Sequence, residues 1–329
     1  MIERAPDITL PSDPHDREAM LHEVLEGLSR PQKEVSSKYF YDARGSELFE
    51  RITELDEYYL TRTERALLER WMGPWVARLR PAGLVELGAG SAAKTRIALD
   101  AMTGRGSGDV YVPVDVSGDF LHATAERLRA EYPGLRVEPE VADFSGPFEL
   151  GVPLPEPTWF ALLGSTIGNF PERSAVRLVS RVAGRMRGED RFLLGVDLRP
   201  GPHKSVERLE AAYDDAEGVT AAFNLNVLEV LNRELGADFD PAAFRHVAFY
   251  SLERARIEMH LEARAEQVVR FEGGEIVRFA AGETVRTEIS CKHDRASVRE
   301  LFAEAGLEVD RWVEDPDGLF ALALGRVAR

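Results

Sequence analysis

Two hydrophobic periodicities alternate along this chain, and the places where one gives way to the other divide it. In DREAMLHEVLEGLSR, beginning at Asp16, apolar residues recur at spacings of three and four, which predicts an amphipathic helix. The polar, proline-bearing residues 1–15 ahead of it are expected to form a loose tail. A second run, ELFERITELDEYYLTRTERALLERW, keeps the helical spacing but is interrupted between Asp56 and Thr61. A fresh helix is expected at Thr61, with Thr61 as N-cap and Glu64, three residues on, completing a capping box.

From Gly83 the pattern becomes short apolar runs separated by helical stretches: LVELGAG, VYVPVDVS, RVEPEVADF, WFALLGSTIGNF and RFLLGVDLRP. Apolar strands in alternation with helices predict an α/β fold whose parallel sheet is covered on both faces. After Pro202 the pattern shifts again, through the helical SVERLEAAYDDAEGVTAAFNLNVLEVLNRELG into extended runs over 246–290. There VVRFEGGEIVRF places Gly273-Gly274 between two β-rich arms, a two-residue hairpin signal. SVRELFAEAGLEVDRWVEDPDGLFALALGRV reads as helix, strand, turn, strand. The expected layout is therefore an N-terminal helical part of a second lobe at 1–70, an α/β core at 71–199, an inserted α+β lobe at 200–286, and a helix and hairpin at 287–329 that complete the core. A cleft between such lobes is a common place for a ligand.

Composition narrows the function. A formal net charge of -16 repels phosphate backbones and anionic lipid, so neither nucleic acid nor membrane is an expected partner. Cys291 is the sole cysteine, which excludes an internal disulfide and a multi-cysteine metal site. No basic n-region with an apolar stretch opens the chain, and no apolar run approaches the ~20 residues that span a bilayer. These features lead to the expectation of a cytoplasmic monomer that handles a small molecule and holds no metal.

The candidate chemistry starts at LVELGAGSAAKTR. A backbone leaving a strand at Leu87 can approach a ligand closely when its turn residues are as small as Gly88, Ala89 and Gly90. Glu86 precedes the first glycine. Asp115 closes the next strand, where an acid can accept both hydroxyls of a ribose, and Asp143 with Phe144 ends the following one, suited to an adenine's amino edge and face. A dinucleotide dehydrogenase would use a similar turn, with Ala93 as its third small residue, and plain strand-end solvation would also account for the two aspartates. LLGSTIGNF puts Asn169 at the carboxyl end of the fourth strand, where ligands of open α/β sheets gather; a turn residue after Gly168 is the plainer reading.

Taken together, the glycine turn and strand-end acids resemble the S-adenosylmethionine site of class I methyltransferases. The segments KYFYDARGSELFERITELDEYYLTRTE, LVELGAGSAAKTR, YVPVDVS, LLGSTIGNF, AYDDAEGVTAAFNLNVLEVLNRELGADFD, RIEMHL and RTEISCK, in this order from Lys38 to Lys292, closely resemble the L-histidine Nα-methyltransferases of ergothioneine biosynthesis. This resemblance implies a Rossmann-like class I core with a substrate-binding lobe, and trimethylation of L-histidine to hercynine with S-adenosyl-L-methionine as cofactor. It implies that Glu86, Gly88, Gly90, Asp115, Asp143 and Phe144 hold the cofactor. Asn169, Tyr58 and Tyr213 would hold the amino and carboxylate groups, with Asn169 and Tyr58 as the catalytic pair. Glu288 and Ser290 would bind the imidazole, Tyr41, Phe49 and Met259 would form its walls, and Gly164 and Thr166 would line the junction with the cofactor. Without the resemblance the aromatics read equally as core, Met259 as a gap-filler, and Glu288 with Ser290 as one solvated face of a strand. Lys94 and Cys291 receive no role, a solvated helix end and a small buried thiol being the simpler accounts. A methyltransferase for another aromatic amino acid and a non-catalytic binding protein remain alternatives.

Overall fold

The computed structural model describes residues 14–116, 118–144 and 146–328. In chain order its elements are α1 (Pro14–Leu28), β1 (Lys33–Glu34), α2 (Ala43–Glu54), α3 (Tyr59–Leu79), β2 (Gly83–Leu87), α4 (Thr95–Thr103), β3 (Val110–Asp115), α5 (Gly118–Glu131), β4 (Arg136–Val137), β5 (Glu140–Val141), β6 (Thr158–Leu162), α6 (Glu172–Ala183) and β7 (Arg191–Asp197). They continue with α7 (Val206–Ala211), α8 (Val219–Leu235), β8 (Phe244–Ser251), β9 (Arg256–Ala263), β10 (Gln267–Arg270), β11 (Ile276–Phe279), β12 (Thr284–Cys291), α9 (Arg295–Glu304), β13 (Leu307–Glu314) and β14 (Phe320–Val327). The expected loose tail lies outside the described residues up to 13, whereas residues 14 and 15 belong to α1. Proline is tolerated at a first helical position because the N–H it lacks would have no helical partner there.

One compact unit comprises Leu60–Lys204 and the chain from Cys291 onward. Its sheet runs β13-β14-β7-β6-β2-β3-β4, with β5 also on β3. β2 pairs parallel with both β3 and β6, placing Val85 opposite Val112 and Phe160, and β6 pairs parallel with β7. β14 returns antiparallel along β7, and β13 antiparallel along β14. All residues of β2, β6 and β7 are buried, which explains why they read as largely apolar runs rather than as alternation. The chain steps outward from β2 to β3 and then back across to β6 and β7, so the order reverses beside β2. At such a switch point the strand ends leave a crevice for a ligand. This is the expected Rossmann-like α/β core, and the antiparallel hairpin β13–β14 forms one edge of its sheet.

β7 ends on a buried charge. Asp197 is fully buried, and Lys204 and Lys292 are at 0% and 2% exposure. The Lys204 ammonium donates to one Asp197 carboxylate oxygen and to the carbonyls of Leu198 and Leu319; Lys292 lies 2.7 Å from the other oxygen. Burial would raise the Asp197 carboxyl, but the two ammonium groups outweigh it and hold it below the usual range. Burial in turn pushes Lys204 down to about 8 against the pull of Asp197. Lys204 is the last residue before the chain enters the other unit, and Lys292 is the second after it returns.

The other unit joins the described residues through Tyr59 to Ser205–Ser290. Its four-stranded sheet runs β1-β12-β9-β8, with α8 packed on β8 and β9. Asp42 ties α2 to α8: its carboxylate caps α2 through the Gly45 N–H at 2.7 Å and accepts from Asn226 at 2.8 Å and Arg233 at 3.0 Å.

Two local expectations are corrected. α3 starts at Tyr59, so Thr61 is inside the helix and is not its N-cap, and the Glu64 side chain points into the interior rather than back toward Thr61. Gly273-Gly274 does sit in the β10–β11 hairpin, but residues 271–275 separate the paired ends Arg270 and Ile276. The turn closes through the Gly274 N–H on the Phe271 carbonyl, with Gly274 at φ +95°. Phe271 is buried 6.2 Å from the Phe239 ring and draws the turn inward, which no two-residue rule foresees.

Replacing Asp197 with Asn is expected to destabilise the fold by about 3–5 kcal/mol, because two buried ammonium groups then lose the carboxylate they share. Urea unfolding measures this, and a loss below about 1 kcal/mol would contradict it.

Candidate active site

The glycine turn leaves β2 in left-handed conformation, with Gly88 at φ +72° and Gly90 at φ +50°. Gly88 donates its N–H to the Val114 carbonyl at 2.8 Å, and Gly90 donates to the Asp115 carboxylate at 3.1 Å, so β3 holds the turn at both ends. A Cβ on Gly88 would lie 3.4 Å from the Phe144 ring, whereas one on Gly90 would meet nothing within 4 Å. Phe144 in turn lies 6.4 Å from Phe170, and Asp143 beside it is exposed. Of the six cofactor-binding candidates, Gly88, Gly90, Asp115 and Phe144 are thus joined around one turn. Its open side, with carboxylates at the strand ends, fits the hydroxyl and amino groups of a nucleoside.

Glu86 is placed differently. It is 3% exposed, and both the Thr95 hydroxyl and the Tyr111 phenol donate to its Oε2. Its donors are neutral, so desolvation dominates and pushes its carboxyl up to about 7. The side chain ties β2 to α4 and β3 beneath the turn.

Beyond β6 the chain turns sharply through Gly164 (φ +73°) and Ser165 (φ +57°) into a single 3-10 turn over Thr166–Asn169. The Thr166 hydroxyl donates to the Leu163 carbonyl at 2.7 Å, and the Ser165 hydroxyl accepts from the Asp197 N–H at 3.0 Å. Gly164 donates its N–H to both oxygens of Glu64, at 2.8 and 2.9 Å, and Glu64 also pairs with the Lys94 ammonium. Lys94 is therefore no solvated helix end. Cys291 is part-buried, its sulfur 3.8 Å from the Phe170 carbonyl.

In the other unit the predicted residues form a chain of rings. Tyr41 meets Phe49 at 5.7 Å, Phe49 meets Tyr58 at 6.3 Å, and Tyr58 meets Tyr213 at 6.2 Å, each edge to face. The Tyr213 hydroxyl is 2.9 Å from the Ser290 hydroxyl. Glu288 is two residues before Ser290 on β12, half-buried. Phe223 of α8 contacts Tyr41 at 5.8 Å and Phe49 at 6.0 Å and was not anticipated.

A neutral relay stands behind these rings. The Thr287 hydroxyl donates to Asn224 Oδ1 at 2.6 Å and lies 3.1 Å from the carbonyl of Met259, which is itself buried on β9. Asn224 Nδ2 is 2.8 Å from His246 Nδ1, and His246 Nε2 is 2.8 Å from the Tyr213 carbonyl. A carbonyl can only accept, so Nε2 carries the proton and Nδ1 accepts from Asn224. Burial lowers the His246 pKa, which keeps the ring neutral and the donor order intact.

Sequence reasoning missed Glu64, Phe223, Asn224 and His246. A signal existed for Glu64: with Leu60, Leu67, Leu68 and Met72 it falls on the buried stripe of α3, where an acid needs a partner. Nothing in the local pattern marks His246 or Asn224. Among the described residues no group of three His, Cys, Asp or Glu side chains is placed to hold a metal ion, and no helix is long and apolar enough to cross a membrane.

The sequence profile of the family described as "Histidine-specific methyltransferase, SAM-dependent" matches residues 20–327. The chain is 44% identical over 309 residues to the histidine N-alpha-methyltransferase of Mycolicibacterium smegmatis, covering 93% of this chain and 94% of that one. It is 43% identical over 307 residues to the protein of the same name from Mycobacterium tuberculosis, with the same coverage. Ergothioneine biosynthesis protein 1 of Neurospora crassa is 28% identical over 339 residues, which span 94% of this chain but 36% of that longer protein.

The raised Glu86 carboxyl makes a pH-dependent contribution to stability. The folded state holds a proton that the unfolded chain releases near pH 4.5, so this stability is full below pH 4.5 and is lost as pH rises through about 7. Glu86→Gln cannot ionise, and its stability relative to wild type should therefore rise by about 3 kcal/mol between those limits. Parallel urea-unfolding curves against pH for the two proteins would refute it.

Proposed function

Because the chain belongs to the histidine-specific, S-adenosylmethionine-dependent methyltransferases, we propose that it places three methyl groups in succession on the α-amino nitrogen of L-histidine, yielding the betaine hercynine for ergothioneine biosynthesis. S-adenosylmethionine supplies an electrophilic methyl group on a leaving group that departs without metal or covalent assistance. Gly88, Gly90, Asp115, Asp143 and Phe144 are the residues that would hold it, with Glu86 bracing the turn beneath. The observation that carries the substrate assignment is the run of rings from Tyr41 through Phe49 and Tyr58 to Tyr213, ending on the Ser290 hydroxyl two residues from Glu288. Apolar walls ending in a hydroxyl and an acid suit an imidazole, whose two ring nitrogens need hydrogen-bond partners once dry.

The protein's own task is to present a neutral amine in line with the methyl carbon and to keep water away. With an α-amino pKa of about 8 or somewhat higher, losing the proton costs on the order of 1.4–3 kcal/mol at neutral pH. Good alignment supplies ~7–11 kcal/mol, so positioning outweighs deprotonation. Asn169 and Tyr58, which we assign to the amino and carboxylate groups together with Tyr213, therefore suffice without a histidine base. Gly164 and Thr166 are assigned to the junction of the two ligands. Anchoring the ring at Glu288 and Ser290 leaves the α-nitrogen as the reacting atom in each round. The acidic charge and single cysteine support a cytoplasmic monomer with a small-molecule substrate and no nucleic-acid or membrane partner.

Incubation with S-adenosylmethionine and a panel of amino acids, read by mass, should show one, two and three added methyl groups on histidine alone; an unmethylated histidine would sink the reading. Glu288→Ala should raise the histidine KM at least about tenfold, roughly 1.4 kcal/mol of binding, and relax selection toward other aromatic amino acids. Near wild-type kcat/KM on histidine in that variant would remove Glu288 from the ring-binding role.

A further inference from the structure

Glu64 has no part in the functions considered so far, yet it is a fully buried carboxylate at the carboxyl end of the central sheet. We propose that Glu64 is a positioning residue for methyl transfer, fixing the Gly164–Asn169 loop and the glycine-turn segment in one relation through a single carboxylate. This rests on the reading that Asn169 holds the reacting amine and that the glycine turn holds the donor.

Three observations carry it. First, both Glu64 oxygens accept from one backbone donor, the Gly164 N–H, at 2.8 and 2.9 Å, while Oε2 also pairs with the Lys94 ammonium. Lys94 lies four residues beyond Gly90 and immediately ahead of α4, and its Nζ is 3.2 Å from where a Cβ on Gly164 would stand. The two ligand-facing segments thus meet on this side chain. Second, β7 leaves space for it: a Cβ on Gly195 would lie 2.1 Å from Glu64 Oε1, which only glycine avoids. An apolar residue would fill an interior position of α3 without the desolvation of a charge, so packing alone does not account for an acid here. Third, the loop it grips is strained. Ser165 sits at φ +57°, a conformation that costs a non-glycine residue on the order of 1 kcal/mol and persists only where the surroundings hold it. Glu64 holds the residue before Ser165, and the Asp197 N–H holds the Ser165 hydroxyl at 3.0 Å. Asn169 follows within one turn of 3-10 helix.

The test is Glu64→Gln in the full-length protein. Glutamine keeps the volume, but its amide turns N–H groups toward either the Gly164 N–H or the Lys94 ammonium. Amide exchange in the peptide covering 163–170 should accelerate at least about tenfold while β2 and β6 stay protected. With histidine and S-adenosylmethionine, kcat should fall by about two orders of magnitude with the histidine KM within about threefold, as expected when alignment and not binding is lost. Gly195→Ala should reproduce both effects from β7 by displacing the carboxylate. Unchanged loop exchange in both variants, or a kcat loss that only follows the folded fraction, would overturn the proposal. A wild-type chain inert toward histidine would count against the function proposed above, while Glu64 would still be judged by the loop's exchange.

Discussion

A carboxylate withdrawn from water has to be answered by donors, and the carboxyl ends of the central strands are organised around three of them. Asp197 at the end of β7 is answered by two ammonium groups, Glu64 by a backbone N–H and Lys94, and Glu86 on β2 by two hydroxyls. The nature of the answer sets the protonation. Two cations hold Asp197 below its ordinary range, while two neutral donors leave Glu86 near 7. Each carboxylate also fastens a different segment, so satisfying the charges and fixing the loops at the strand ends are one arrangement.

That arrangement matters for a transfer that asks for little acid–base chemistry. Where the leaving group departs readily and the nucleophile is an amine, rate depends on distance and angle, and a displacement of about 1 Å can cost a hundredfold. The loop that carries Asn169 is held at Gly164 and at Ser165, and the glycine turn is held by Val114 and Asp115. Backbone donors do most of this fastening.

The α+β unit solves a similar problem without net charge. Its rings are positioned by packing on Phe223 and by the Thr287–Asn224–His246–Tyr213 relay, in which each group has one possible direction of donation. Neutrality of His246 is part of the design, because a second ring proton would face the Asn224 amide donor. Asp42, adjacent to Tyr41, adds the only charged tie in this neighbourhood that links α2 with α8 among the described residues.

Much of this was legible in the amino-acid order. The alternation of apolar runs with helical spacing foretold the parallel core, and LVELGAG, YVPVDVS and LLGSTIGNF marked the strand ends where Gly88, Asp115 and Asn169 stand, because periodicity and turn chemistry act over a few neighbouring residues. Glu64, read as half of a capping box, and Lys94, read as a solvated helix end, were misjudged for the opposite reason. Their partners, Gly164 a hundred residues on and each other thirty apart, are brought within reach by the sheet alone. The same holds for the five-residue hairpin turn, drawn inward by the Phe239 ring, and for the Glu86 carboxyl, whose pKa reflects burial that no local pattern records. Sequence determined the elements and the chemistry available at their ends; tertiary structure decided which charges lost their water, and therefore which residues had to hold one another.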